Sequence, residues 1–244
     1  MGLLGLGNDD AAKTVDAVEQ TKGALAMARE QKPDSGLLGG ATTRMIENLL
    51  DIGIDGKGPF DSAQRVADVA RAERAGAEQA VDAIVRSHLK LGAAGGFVTS
   101  MGGFITMPIS LPANVLEFYV LATRMVASIA SVRGYDIKQP EIRSAILLTL
   151  IDAEADDLLR KAGVVTTGRL SNLAVQRLPG PVLMVVNKAV AFRLLSTAGR
   201  KTFSRFGKGV PVVGGVVGAG IDTYLLKRIA DSARHEFPPR NRRA

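Results

Sequence analysis

The chain is predicted to be all-α, a multi-helix bundle with two glycine-rich apolar helical elements. Three observations predict it. Apolar residues recur at helical spacing in several windows, whereas convincing period-two alternation is absent. The 244 residues are 46% hydrophobic but only 5% aromatic and lack tryptophan, so the core must be built from Ala, Val, Leu, Ile and Gly on closely approaching helices. Glycine also concentrates in two apolar stretches, 92–107 and 209–226, and small side chains permit such approach.

The elements follow in order. Asp9 to Glu30 reads as an exposed helix with Val15, Val18 and Leu25 on one side, ended by Pro33. Gly36 to Ile54 is a second, short helix around Met45, Ile46, Leu49 and Leu50, closed by the GIDGKGP turn. Pro59 and Asp61 open a long helix to about Leu91. Its apolar positions Val66, Val69, Ala70, Ala77, Val81, Ile84, Val85 and Leu89 keep one face, and Arg, Asp and Glu fill the other. Gly92 to Met107 would be a poor helix in isolation. Its Gly92 and Gly96 form a small-xxx-small pair suited to helix packing.

Asn114 to Val132 is a helix after Pro112. Pro140, at a first-turn position, starts another that runs through Ala155 or Lys161. Residues 162–207 read as two helices separated near Pro179-Gly180-Pro181, and Pro211 to Arg234 as the last helix. The domain plan is a helical extension over 1–58, a helical domain over 59–237, and a disordered basic tail over 238–244.

Composition narrows the function classes. Without cysteine there is no disulfide and no thiolate metal site, which fits a reducing cytoplasm. The N-terminal sequence has no basic n-region, so no signal peptide is expected. At Gly2, Leu6 stands where a myristoylation motif wants Ser or Thr. The apolar stretches 91–107 and 211–226 fall short of the ~20 residues of a membrane span, so a peripheral or re-entrant arrangement is expected rather than two spans.

Charge is uneven. Residues 1–110 hold 11 Lys/Arg against 14 Asp/Glu, and residues 111–244 hold 20 against 10, within a net charge of +7. No acid lies between Leu158 and Ile221, where ten basic residues occur: Arg160, Lys161, Arg169, Arg177, Lys188, Arg193, Arg200, Lys201, Arg205 and Lys208. Such a run creates a positive field, for which anionic lipid head groups or nucleic acid are the candidate partners. Phe192, Phe203 and Phe206 sit among these cations, as interfacial anchors or as ordinary core contacts. Nucleic acid is the weakest reading, because aromatic platforms and a reading motif are missing.

Candidate site residues are carboxylates with a few cations. Glu117 and Arg124, seven residues apart, share a helical face. They form either an ion-paired face or a polar site inside an apolar pocket. Asp152 and Asp156, at i and i+4, suit a divalent metal or acid–base work, with Arg143 at hand. The bland reading is a solvated face. Asp222 sits within GAGIDTYLL, either as a functional ionisable group or as a paired core charge. His88 and His235 lie in no metal-binding spacing. The segment from Gly163 to Ser171 lacks the lysine of a phosphate loop, and no GxSxG elbow occurs.

Three blocks, GAAGGFVTSMGGFITMP, PANVLEFYVLATRMVASIASVRGYD and VPVVGGVVGAGIDTYLLKRIADSARHEF, resemble the EcsC family in this order, over roughly residues 80–237. Gly95, Gly96, Gly102, Gly103, Gly134, Gly214 and Gly218 stand where such members tend to have glycine. The resemblance implies an α-helical, membrane-associated bacterial protein, without catalytic residues to carry over and without an expected cofactor. The expected function is a lipid-interacting protein of the cytoplasmic membrane surface, with a protein partner there as a further possibility. The alternative is a hydrolase or lipid-modifying enzyme using Glu117, Asp152 or Asp222, assisted by a divalent metal.

Overall fold

The structure, a computed structural model, describes residues 37–58, 60–93, 113–151, 154–164, 168–206 and 214–240. Within them helices α1 (Leu37–Asn48), α2 (Ala63–Glu73), α3 (Ala77–Ala93), α4 (Ala113–Val132), α5 (Pro140–Thr149), α6 (Ala155–Lys161), α7 (Leu173–Gln176), α8 (Gly180–Phe206) and α9 (Gly214–Glu236) pack around one core, with no strand among the described residues. The fold is an all-α multi-helix bundle, as expected.

α4 is the axis. Val120, Leu121, Met125, Val126, Ile129 and Ala130 are buried on it, apolar on nearly every side as a central helix requires. It packs against α2, α3, α5, α9 and the widened turn Leu49–Ile54 that continues α1. Ser128 Oγ donates to Ala63 O at 3.2 Å, across a stripe of buried Ala63, Ala67 and Ala70 on α2 that lets the two backbones come close. α4 ends at Gly134, whose φ of +89° suits glycine. There Tyr135 N–H donates to Ala130 O at 3.1 Å, closing the last turn as in a left-handed C-terminal cap.

Two expected helices are broken. The single helix over 61–91 is in fact α2 and α3, because Arg74 is extended (φ −127°, ψ 140°). A continuous rod there would run about 46 Å, half again the length of α4. Folding it back lays both halves against that axis. The helix expected from Pro140 through Ala155 or beyond stops at Thr149 and restarts as α6. The apolar run 145–151 is buried throughout, whereas Asp156 is exposed and Asp157 half-buried. The break re-aims the acids out of the core.

The segments beyond the central domain are also packed. Met45, Leu49, Ile52 and Ile54, from the segment assigned to the N-terminal extension, are buried in the common core. The helix read at Asp9–Glu30 lies outside the described residues. At the other end, Tyr135 Oη donates to Pro238 O at 3.0 Å, and Arg240 N–H donates to Arg133 O at 3.0 Å. Phe237 is fully buried edge-on to Tyr135, with ring centroids 5.3 Å apart. The first residues of the expected basic tail therefore close the base of the bundle.

Candidate functional site

The register of α3, α4 and α9 follows from a few contacts. Arg133 grips Glu78 through two hydrogen bonds (3.1 and 2.7 Å) and donates to the carbonyls of Arg234 and Phe237 (2.6 and 2.8 Å). Arg234 also pairs with Asp82 at 2.6 Å. About three turns beyond Asp82 along α3, Gly92 faces Leu226 and Leu121. A Cβ built on Gly92 would lie 2.5 Å from Leu226 Cδ1 and 3.7 Å from Leu121 Cδ2. α3 therefore runs antiparallel to both α4 and α9, which are parallel to each other. Glycine at position 92 permits the three-helix contact, as the sequence suggested for it. Its expected partner Gly96 lies outside the described residues.

One end of the bundle, termed the pole below, thus gathers the C-terminus of α3 and the N-termini of α4 and α9. Segment 94–112 leaves and rejoins the bundle there, and segment 207–213 joins it there. In sequence, residues 91–116 and 209–221 carry no charged side chain. Each stretch follows a lysine, Lys90 or Lys208, and ends at an acid, Glu117 or Asp222.

These two acids are the candidate carboxylates that the register brings to one end. Glu117 lies one turn before Leu121, and Asp222 one turn before Leu226, on parallel helices whose two leucines meet Gly92. Both are half-buried, and burial raises the Glu117 carboxyl above its ordinary value. Asp152 lies outside the described residues. Asp156 is exposed in the first turn of α6. No group of three metal-ligating side chains occurs among the described residues.

Arg124 does not pair with Glu117. Its guanidinium lies 5.6 Å from the Phe60 ring centre, and its Nε and Nη1 are buried without a hydrogen-bond partner among the described residues. Burial lowers its pKa, partly offset by the Asp61 carboxylate. His88 on α3 lies close enough to feel that charge. It is 1% exposed, with Nδ1 2.8 Å from Ile84 O and Nε2 unpartnered among the described residues. Burial first, then Arg124, push the imidazole down to about 4, against the opposing pull of the Ile84 carbonyl. His88 is therefore neutral, consistent with Nδ1 as the donor to Ile84.

The basic run is only partly paired where it is described, and Arg160, Arg169 and Arg177 are exposed. Arg193 is buried in a two-pronged pair with Glu154, and Arg160 and Lys161 both meet Asp157. Arg143 is held by Asp55 at 2.9 and 2.6 Å. Lys188 is half-buried. The side chains of Arg200, Lys201, Arg205 and Phe203, and all of Lys208, lie outside the description. The Glu154–Arg193 pair sits beside Tyr119, whose hydroxyl burial, then Glu154, push up to about 12 against the opposing effect of Arg193. Sequence reasoning did not single out Arg133 or Glu154. Each is one charge among many until a distant chain segment supplies its partner. His88 did carry a signal, since it continues the buried stripe Val81, Ile84, Val85 at helical spacing.

The pattern of the EcsC protein family matches residues 13–241, nearly the whole chain. No curated protein and no solved structure matches it.

Proposed function

We propose that this chain, which belongs to the EcsC protein family, is a peripheral protein of the cytoplasmic membrane surface that docks its pole onto lipid. The observation that supports this reading is the attachment of both uncharged stretches, 91–116 and 209–221, to the same end of the bundle. No described helix is long and apolar enough to cross a membrane. Shallow insertion of short apolar segments is a different arrangement, in which buried apolar area and attraction to anionic lipid together set the affinity. Arg200, Lys201, Arg205 and Lys208 are the cations that the sequence offers for that attraction. Each cation near such a surface adds about 1 kcal/mol.

The test is flotation of the full chain with neutral and phosphatidylserine-containing vesicles at low and high salt. Binding to anionic vesicles is expected, with part of it surviving high salt through the apolar segments. A chain that ignores both vesicle types would refute the reading.

The convergence of Glu117 and Asp222 on the pole favours a second reading, a hydrolase or lipid-modifying enzyme in which the raised Glu117 carboxyl is the proton donor and Asp222 the base. Hydrolysis of lipid esters, with or without added Mg²⁺, that is lost in Glu117→Gln and Asp222→Asn while flotation persists would establish it. Catalytic turnover in neither the parent nor the variants would leave the binding role alone.

A further inference from the structure

The Asp82–Arg234 ion pair marks the outer seam between α3 and α9. From Asp82 toward the pole, the same stripe of α3 presents Arg86 and Lys90, one and two turns on. From Arg234 in the same direction, α9 presents Lys227 and, beside it, Tyr224. All four are exposed, Tyr224 at 66%. Arg86, Lys90 and Lys227 make no ion pair or hydrogen bond among the described residues. The first acid met along the seam away from the pole is Asp231, and the next, Asp82, is already paired. Asp222 lies about 120° around α9 from Arg234, on the side of buried Leu226 and away from this seam.

We propose that the α3–α9 seam is the surface that reads anionic lipid, with Tyr224 at the head-group level and Arg86, Lys90 and Lys227 against the phosphates. Tyrosine favours the membrane–water interface because its ring is apolar and its hydroxyl wet, and cations beside it meet the negative leaflet. The proposal rests on the reading that the pole approaches a bilayer. It adds which flank of the bundle tilts onto the surface, and it gives α3 and α9 a part in lipid selectivity beside the 160–208 run, from which Arg193 is withdrawn by its buried pair with Glu154.

The chain contains no tryptophan, so Tyr224→Trp installs its only indole at the predicted contact. Val175→Trp places one at a 74% exposed position on α7, away from the seam. With phosphatidylserine-containing vesicles, the indole at position 224 is expected to shift to shorter emission wavelength and to be quenched by brominated acyl chains, while that at 175 does neither. The triple variant Arg86→Gln, Lys90→Gln, Lys227→Gln is expected to partition about 100-fold less onto the same vesicles, about fivefold for each cation. Circular dichroism should show it folded, because all three side chains are exposed.

A folded triple variant that binds anionic vesicles like the parent, or a response at 175 in place of 224, would overturn the seam while leaving the lipid reading intact. Binding of a nucleic-acid duplex through the seam, with no vesicle response at 224, would also overturn it. Failure of the parent chain to bind any vesicle would remove the lipid reading and the seam together.

Discussion

Acidification should destabilise this protein through His88 in particular. The unfolded chain takes up a proton on this imidazole near pH 6.5, whereas the folded state resists until about 4. Between these values the unfolded state binds more protons, so stability rises with pH. The His88 contribution is complete above about pH 6.5 and is lost progressively as pH falls toward 4. At about 1.4 kcal/mol per pH unit, the gap amounts to about 3 kcal/mol. The side chain is fully buried, so solvent screening removes little of that figure. The neighbouring Arg124 charge works in the same direction.

Urea unfolding of the parent and of His88→Leu at pH 7.5 and 4.0 isolates the contribution. The parent should lose about 3 kcal/mol more than the variant. With only two histidines in the chain, imidazole Cε1–H resonances give an independent reading, in which the His88 signal keeps its neutral shift down to about pH 4. A His88 titration near 6.5, or identical pH profiles for parent and variant, would refute the picture of a buried neutral imidazole beside Arg124.

Two further outcomes follow from the packing. Gly92→Val should cost about 1–3 kcal/mol by overpacking, and Leu226→Ala in the same chain should relieve most of it. Strict additivity in thermal unfolding would deny the close contact. Arg133→Met removes the partner of Glu78 and leaves the Arg234 and Phe237 carbonyls without their donor, at about 3 kcal/mol in all. Arg133→Lys should recover little, since one ammonium cannot replace a fork that reaches both a carboxylate and two carbonyls. A Tm for Arg133→Met equal to that of the parent would contradict this role.

Much of the bundle was legible in the order of residues. The start of α5 at Pro140, the separation at Pro179-Gly180-Pro181 and the start of α9 just after Pro211 are local events, written by proline geometry and by the presence or absence of a hydrogen-bond donor. The breaks at Arg74 and after Thr149 were not legible. Neither carries a proline: the first lays α2 and α3 side by side against α4, and the second parts a buried apolar run from the exposed Asp156. The pole was half legible. The apolar stretches stood out in the sequence, and Glu117 and Asp222 stood out as acids at their edges. That both belong to one end depended on α4 and α9 being parallel. The basic run was visible as charge, but that Arg193 leaves it for a buried pair with Glu154 and that Arg143 beside it is held by Asp55 depended on the assembled helices.

By itself, the sequence determined the helical class, most helix starts, the aromatic-poor core and the two uncharged glycine-rich stretches, because periodicity, proline and composition act within a few residues of where they are read. The tertiary structure alone decided which charges are spent inside the fold and which face outward. Arg133 and Arg193 disappear into pairs with Glu78 and Glu154, while Arg86, Lys90 and Lys227 remain exposed around Tyr224. An ion pair or a buried imidazole is a relation between segments far apart in the chain. Its energy depends on distance and burial, which exist only after the helices have packed.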